Sequence, residues 1–189
     1  LRAKNSIIAR RSISAYPGIT VEIRAMDRAA DLLRREADIA IRNFGPREPE
    51  FIARKVGEDR GRPYATPDYL SRLGHPRSWH DLARAEFVVF GETAAFIEGL
   101  RAHGMPLTAR QLPVQVDSYL AHWALVKHGV GIGFMTETVG DAEPLVRRVL
   151  PEAAPITFPV WLVTHRDLHT SRRVRVVFDL LADALSSQR

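Results

Sequence analysis

Arg42 closes the apolar run Asp38-Ile39-Ala40-Ile41 and is followed by Asn43-Phe44-Gly45-Pro46, a loop-forming sequence. A guanidinium at the end of a buried strand suits a two-pronged contact to a carboxylate, whereas an ion pair with Asp38 or Glu36 accounts for it equally well. Ser118, with Asp117, precedes the apolar stretch Tyr119–Lys127 and has the position of a helix N-cap, where free backbone N–H groups and the helix dipole favour an anion. Capping alone and capping with ligand contact are both open for it. No Gly-x-Ser-x-Gly elbow surrounds Ser118, so a nucleophile is not expected. His165, Asp167 and His169 have a spacing that would suit a metal on one helix, but they lie in the connection before the last helix, with no further ligand standing out nearby. A surface loop is the expectation, and neither metal nor cofactor is called for. His122 and His128 stand at opposite ends of one helix and carry still less weight. Gly129-Val130-Gly131-Ile132-Gly133 leaves a helix and enters a strand, the reverse of a dinucleotide-binding turn, and reads as a helix end followed by a closely packed strand.

The elements that must position these residues alternate along the chain, which argues for an α/β protein with largely parallel sheets. Ile19, Val21 and Ile23 alternate with Thr20, Glu22 and Arg24 after the turn signal Tyr16-Pro17-Gly18, predicting a half-buried strand. Asp27 is placed to cap a helix carrying Ala29, Ala30, Leu32, Leu33 and Ala37, and Asp38–Arg42 reads as a strand buried on both faces. Phe51–Ala65 is expected to give two more strands before Thr66-Pro67 opens a short helix. A capped helix near Ser78–Leu82, a strand Phe87–Phe90, a helix Ala94–Ala102 and a strand Leu112–Val116 follow. The helix Tyr119–Lys127 is apolar on nearly every side and is expected deep in the core or at a subunit contact. Val130–Met135 and Phe158–Thr164 read as buried strands. The last helix carries Val174, Val177, Phe178, Leu181 and Leu185 on one stripe, with Arg175, Asp179 and Asp183 outside.

With 189 residues, 46% of them hydrophobic and 26% charged, the chain can bury a good core as one domain or two small lobes. No apolar run approaches the roughly 20 residues that cross a bilayer, and Leu1–Ala15 lacks a signal peptide's apolar centre, so a cytoplasmic location without membrane contact is expected. The absence of cysteine excludes disulfides, thiolate nucleophiles and Cys-ligated zinc. The net charge of +5 is spread over single arginines and pairs such as Arg10-Arg11 and Arg172-Arg173. Phosphate contacts need clustered cations, so this chain is not expected to hold DNA by itself.

Taken in order, Tyr16-Pro17-Gly18-Ile19, Asp31-Leu32, Ala37–Arg42, Tyr64–Leu70, Gly74-x-Pro76, Asp81-Leu82-Ala83, Val116-Asp117-Ser118, Gly129–Ile132, Pro144–Arg147 and Trp161-Leu162-Val163 resemble the effector-binding domain of LysR-type transcriptional regulators. The resemblance runs from about Ala15 to the end. It implies two Rossmann-like α/β lobes joined by two crossover strands, as in type 2 periplasmic binding proteins, with an effector between them. Lobe one would be residues 1–64 plus 162–189 and lobe two residues 65–161. Family ligand positions carry over to Arg42, Asn43 and Phe44, to Asp117, Ser118 and Tyr119, and near the hinge to Thr66 and Trp161. Leu1–Ala15 is shorter than the strand, ligand loop and helix that open the family domain, and the Asp117 carboxylate would oppose an anionic effector unless Arg42 or the helix dipole compensates. The implied protein is a homodimer, or a tetramer at full length, reaching promoter DNA only through an N-terminal winged helix-turn-helix that this chain lacks. It is not an enzyme. The rival reading is an extracytoplasmic solute-binding protein that serves a transporter.

Overall fold

In the computed structural model, residues 16, 18–24, 32–91, 93–102, 104–105 and 107–186 are described, and the chain divides into two compact units. One comprises the residues up to Asp59 together with Phe158 onward, and the other Arg60–Thr157. The divisions fall within two long strands, a few residues before the expected positions at Tyr64 and Leu162.

In the first unit, Ile39–Arg42 forms β1, and the 15-residue strand β2 begins at Phe51 and runs to Ala65. The second unit continues with α1 (Pro67–Arg72), β3 (Val88–Phe90), α2 (Thr93–Ala102), β4 (Val114–Val116), α3 (Tyr119–Lys127), β5 (Gly133–Thr136), α4 (Glu137–Gly140) and β6 (Arg147–Arg148). Strand β7 (Ile156–His165) returns the chain to the first unit, which closes with the short α5 (Arg166–His169) and the long α6 (Arg172–Ser186).

The first unit is a sheet ordered β1-β7-β2, with β1 antiparallel to β7 in the register Ile39 to Thr164 through Arg42 to Trp161. Because side chains alternate along a strand, Val56, Val160 and Leu162 turn to one face, where Phe178, Leu181, Ala182 and Ala184 of α6 cover them. The apolar stripe read from the last helix is the stripe that packs. Arg42 and Trp161, one residue out of phase, belong to the other face.

The second unit is built around the parallel pair β3–β4, extended by a parallel bridge between Phe87 and Ile132. The distal half of β2 pairs antiparallel with β5 and β6. One core gathers Leu82, Phe87, Val89, Leu100, Ile132 and Leu150, and another sets Tyr64, Trp123, Val126 and Met135 under α3. Arg62 bonds the Glu137 carboxylate and the Ala153 carbonyl, while Tyr64 donates to Asp141 Oδ1 at 2.9 Å. Arg148 also grips Asp141, at 2.8 and 2.5 Å, and these donors hold the Asp141 carboxyl below its usual range.

Several expectations change. The pairs β1–β7, β2–β5 and β2–β6 are antiparallel, while β3–β4 and the Phe87 bridge are parallel, because the two strands that pass between units meet partners from distant parts of the chain. Among the described residues β1 is an edge strand rather than a central one, and Ile41 is 44% exposed. Phe51–Ala65 is one strand, not two, Gly57 and Gly61 passing within it. Ile19–Arg24 joins no ladder among the described residues, although Ile19 and Val21 are less exposed than their neighbours. The helix expected from Asp27 lies mainly outside the described residues, and its described end, Leu32–Arg35, is a turn.

Candidate functional site

Arg42 sits where β1 ends, directly across the ladder from Trp161. Its Cζ lies 5.7 Å from the centroid of the Phe44 ring and 5.6 Å from that of Phe51, so two aromatic faces hold the guanidinium. A Cβ built on Gly45 would stand 3.4 Å from the Trp161 indole, which places the loop Asn43–Gly45 against that ring. The first unit therefore brings Arg42, Phe44 and Trp161 together, with Asn43 exposed in the same loop. Phe51 is a participant that the sequence reading missed. Its signal was its place opening a strand after Pro49-Glu50, but only the ladder shows which ring faces the cation.

In the second unit, Ser118 lies two residues beyond the end of β4 and caps α3, its hydroxyl accepting from the Ala121 N–H at 3.4 Å and its carbonyl from His122 at 2.8 Å. The cap fixes the helix start at the carboxyl edge of the parallel pair, the side on which open α/β sheets bind ligands. The other first-turn N–H groups point out of the helix end, with the positive end of its dipole behind them. Asp117 is exposed beside this edge.

Tyr119 turns inward. Its ring meets Phe90 edge-on at 5.2 Å and stacks over His122 at 5.7 Å, and its hydroxyl donates to Met135 Sδ at 3.3 Å. It anchors the helix start instead of presenting a polar tip. Next to it, Gln115 bonds the Gly91 carbonyl at 2.7 Å and accepts from Thr93 Oγ1 at 2.9 Å, linking the ends of β3 and β4 to the start of α2. Gln115, Thr93 and Phe90 escaped the sequence reading because nothing local marks a residue at a strand's carboxyl end.

Thr66 is not brought to Ser118. Its hydroxyl accepts from the Tyr69 N–H at 3.3 Å, capping α1, and lies 3.0 Å from where a Gly129 Cβ would stand. Gly129 follows the opposite end of α3, so roughly 16 Å of helical rise, at 1.5 Å per residue, separates the two caps. Gly129 has φ +73°, ending the helix in the left-handed conformation, while Gly131 and Gly133 pass within 2.7 Å of the Glu86 carbonyl and 2.3 Å of Val126 at their Cβ positions. The glycine run is thus a helix end and a closely packed strand, as its order along the chain implied.

His122 is 2% exposed beneath α3, and its Nδ1 has no hydrogen-bond partner. Burial pushes its pKa down to about 4, against a smaller upward effect of a bond to the Val88 backbone, so the ring is neutral near pH 7. His165 accepts from the Asp167 N–H at 3.2 Å and caps α5, in place of the expected surface loop. Among the described residues no cluster of three His, Cys, Asp or Glu is placed to hold a metal, and no helix is long and apolar enough to cross a membrane.

Comparison with known proteins supplies the family. The model of the LysR substrate binding domain matches residues 8–186. The HTH-type transcriptional activator TtdR of Escherichia coli is 27% identical over 180 residues, covering 88% of this chain and 56% of that protein. The HTH-type transcriptional regulator CrgA of Neisseria meningitidis is 24% identical over 186 residues, covering 95% of this chain and 62% of that protein. The chain thus spans little more than half the length of these curated relatives. The regulatory domain of CrgA superposes with a TM-score of 0.81 at 25% identity, over 96% of this chain and 91% of that one. The effector domain of AmpR from Pseudomonas aeruginosa shares the fold, with a TM-score of 0.77 at 18% identity over 97% and 89% of the two chains. A family match along almost the whole length, on a two-lobed α/β fold that known regulatory domains share, makes this chain a member of the LysR substrate-binding-domain family.

Proposed function

We propose that this domain is the non-catalytic sensor of a cytoplasmic LysR-type transcriptional regulator and that it binds a small carboxylate effector. The first unit offers a ligand Arg42, Asn43, Phe44 and Trp161, and the second unit by itself offers Ser118 with the α3 start, flanked by Asp117. The observation that carries the reading is the pair of rings around Arg42, which orient a permanent cation at a strand end with an indole beside it. Tyr119 acts by holding the helix start, and Thr66 by capping α1. Effector binding shifts an equilibrium between arrangements of the domain only to the extent that the two arrangements bind it unequally. Promoter contact belongs to a helix-turn-helix outside this chain.

The domain pairs with a second copy through the outer face of α3. Leu120 is 69% exposed there, with the half-buried Ala121 and Ala124 beside it. The relatives reported above are transcriptional regulators, which favours this reading over a transporter's solute-binding protein.

Calorimetry with a panel of small aliphatic and aromatic carboxylates, on the protein and on Arg42→Ala, tests the proposal. A ligand that binds the protein and is lost from the variant supports it. An effector bound equally by both removes Arg42 from the site.

A further inference from the structure

The turn that ends α1 borders a hollow of about 660 Å³ within the second unit, lined by Leu73, Gly74, His75, Pro76, Arg77 and Asp81. That volume is in the range of small-molecule sites, and the lining includes no residue of the Ser118 corner. Backbone shapes the wall. The Gly74 N–H donates to the Ser71 carbonyl and the His75 N–H to the Leu70 carbonyl, both at 3.0 Å, with Gly74 at φ +79° and His75 at φ +55°. A left-handed residue other than glycine is uncommon and persists only where its surroundings hold it. The far side of the same turn borders a smaller hollow of about 170 Å³, lined in part by Arg148 and Pro151, so the turn stands as a partition.

Two charges of opposite sign line the larger hollow without closing on each other. The Asp81 carboxylate accepts the backbone N–H groups of Arg77 and Ser78, each at 2.9 Å, and both bonds fall on Oδ2, leaving Oδ1 outside them. The Arg77 N–H, followed by the Ser78 hydroxyl and N–H, holds the carboxyl below its usual range, so it is charged near neutral pH. A carboxylate that grips an arginine's own N–H is within reach of that arginine's guanidinium. Yet no ion pair joins the two, and the Arg77 side chain enters none with any other described residue. Arg77 and Asp81 are exposed, while Leu73 and Pro76 beside them are half-buried and apolar.

We infer that this hollow is a second ligand site, for a small zwitterion of the α-amino acid class with an apolar side chain. The ligand carboxylate meets the Arg77 guanidinium, its ammonium meets Asp81 Oδ1, and its side chain lies on Leu73 and Pro76. A zwitterion satisfies both charges at once, through charge-assisted hydrogen bonds, whereas a simple carboxylate is opposed by Asp81 and a simple amine by Arg77. The inference does not rest on the effector reading, because the hollow shares no residue with the Arg42 or Ser118 corners.

The test is a titration of the isotope-labelled protein with free leucine, methionine and phenylalanine, each beside its N-acetyl and amide forms, followed by backbone NMR. At least one free amino acid is expected to shift the resonances of Leu73 to Asp81, in the protein and in Arg42→Ala alike. Its N-acetyl form, which lacks the ammonium, and its amide, which lacks the carboxylate, should bind at least roughly tenfold more weakly. Arg77→Gln should weaken the free amino acid by a similar factor, and so should Asp81→Asn, which keeps an oxygen for the two backbone N–H groups. Both positions are exposed, and an otherwise unchanged amide spectrum confirms the fold of each variant. No shift at Leu73 to Asp81 with any of the three at millimolar concentration, equal binding of the free, acetylated and amidated forms, or binding that either variant leaves intact would overturn the site.

Discussion

The Arg42 corner and the Ser118 corner present positive charge by different physical means. In the first unit a side chain supplies a full charge, at the end of an edge strand whose partner runs antiparallel, and loosely packed rings keep it in place. In the second unit the backbone supplies a partial charge, at the end of a parallel strand pair, and a tightly packed core fixes the helix that presents it. A corner made from a side chain can be removed with little harm to the fold. A corner made from a helix start is inseparable from the packing below it.

The same chemical change in both regions separates them most strongly. A Cβ at Gly140 would stand 2.2 to 2.6 Å from the Tyr64 ring, which is fully buried and tied to Asp141. Gly140→Ala is expected to destabilise the second unit by about 3 kcal/mol, the upper range for overpacking. At Gly45 the new atom would only touch the Trp161 indole at 3.4 Å, so Gly45→Ala should change stability by within about 0.5 kcal/mol. Denaturant titration of the two variants measures the contrast, and equal losses would break it.

Acid should also act on the second unit. His122 titrates near 4 in the fold, below its ordinary 6.5 when unfolded, so the unfolded chain binds the proton first. Stability is complete above about pH 6.5 and declines as pH falls toward 4, by about 3 kcal/mol if the shift is fully expressed. Melting temperature followed against pH should show this slope in the protein and lose it in His122→Phe. A slope unchanged in the variant would assign the acid sensitivity to other groups.

A smaller effect is expected at the cap itself. Ser118→Ala removes the bond to the Ala121 N–H and should cost about 1 kcal/mol, while Ser118→Gly costs a few tenths. Arg42→Ala gives up the contacts with the Phe44 and Phe51 rings and should cost about 1 kcal/mol of stability. Thermal unfolding resolves both, and a loss at Arg42 larger than at Gly140 would reverse the comparison.

Local chemistry made much of this legible from the sequence. Thr66-Pro67 marked the start of α1, Ser118 and Gly129 bracketed α3, and the apolar stripe of α6 gave both its helix and its buried face. These signals lie within a few residues of the feature they specify. The edge position of β1 and the continuity of β2 depended instead on partners about 70 to 120 residues away, such as Phe134 opposite Pro63 and Trp161 opposite Arg42. The apolar run Ile39–Ile41 looks the same in a central strand and at an edge. Arg42 and the Ser118 cap were singled out by their own sequence context and Trp161 by the family resemblance, whereas Phe51, Phe90 and Gln115 acquire their positions only through the ladders. Tyr119 illustrates the converse: the family resemblance implied a ligand contact, and its environment engages the hydroxyl with Met135.

The most direct test of the proposed effector contact at Arg42 compares one ligand in two charge states. For a carboxylate that binds the protein, its uncharged amide is measured in parallel by calorimetry on the protein and on Arg42→Ala. A charge-assisted hydrogen bond is worth roughly 1.5 to 3 kcal/mol, so Arg42→Ala should weaken the acid by roughly 10- to 100-fold and leave the amide almost unchanged. Equal weakening of acid and amide, or none of either, would contradict the assignment.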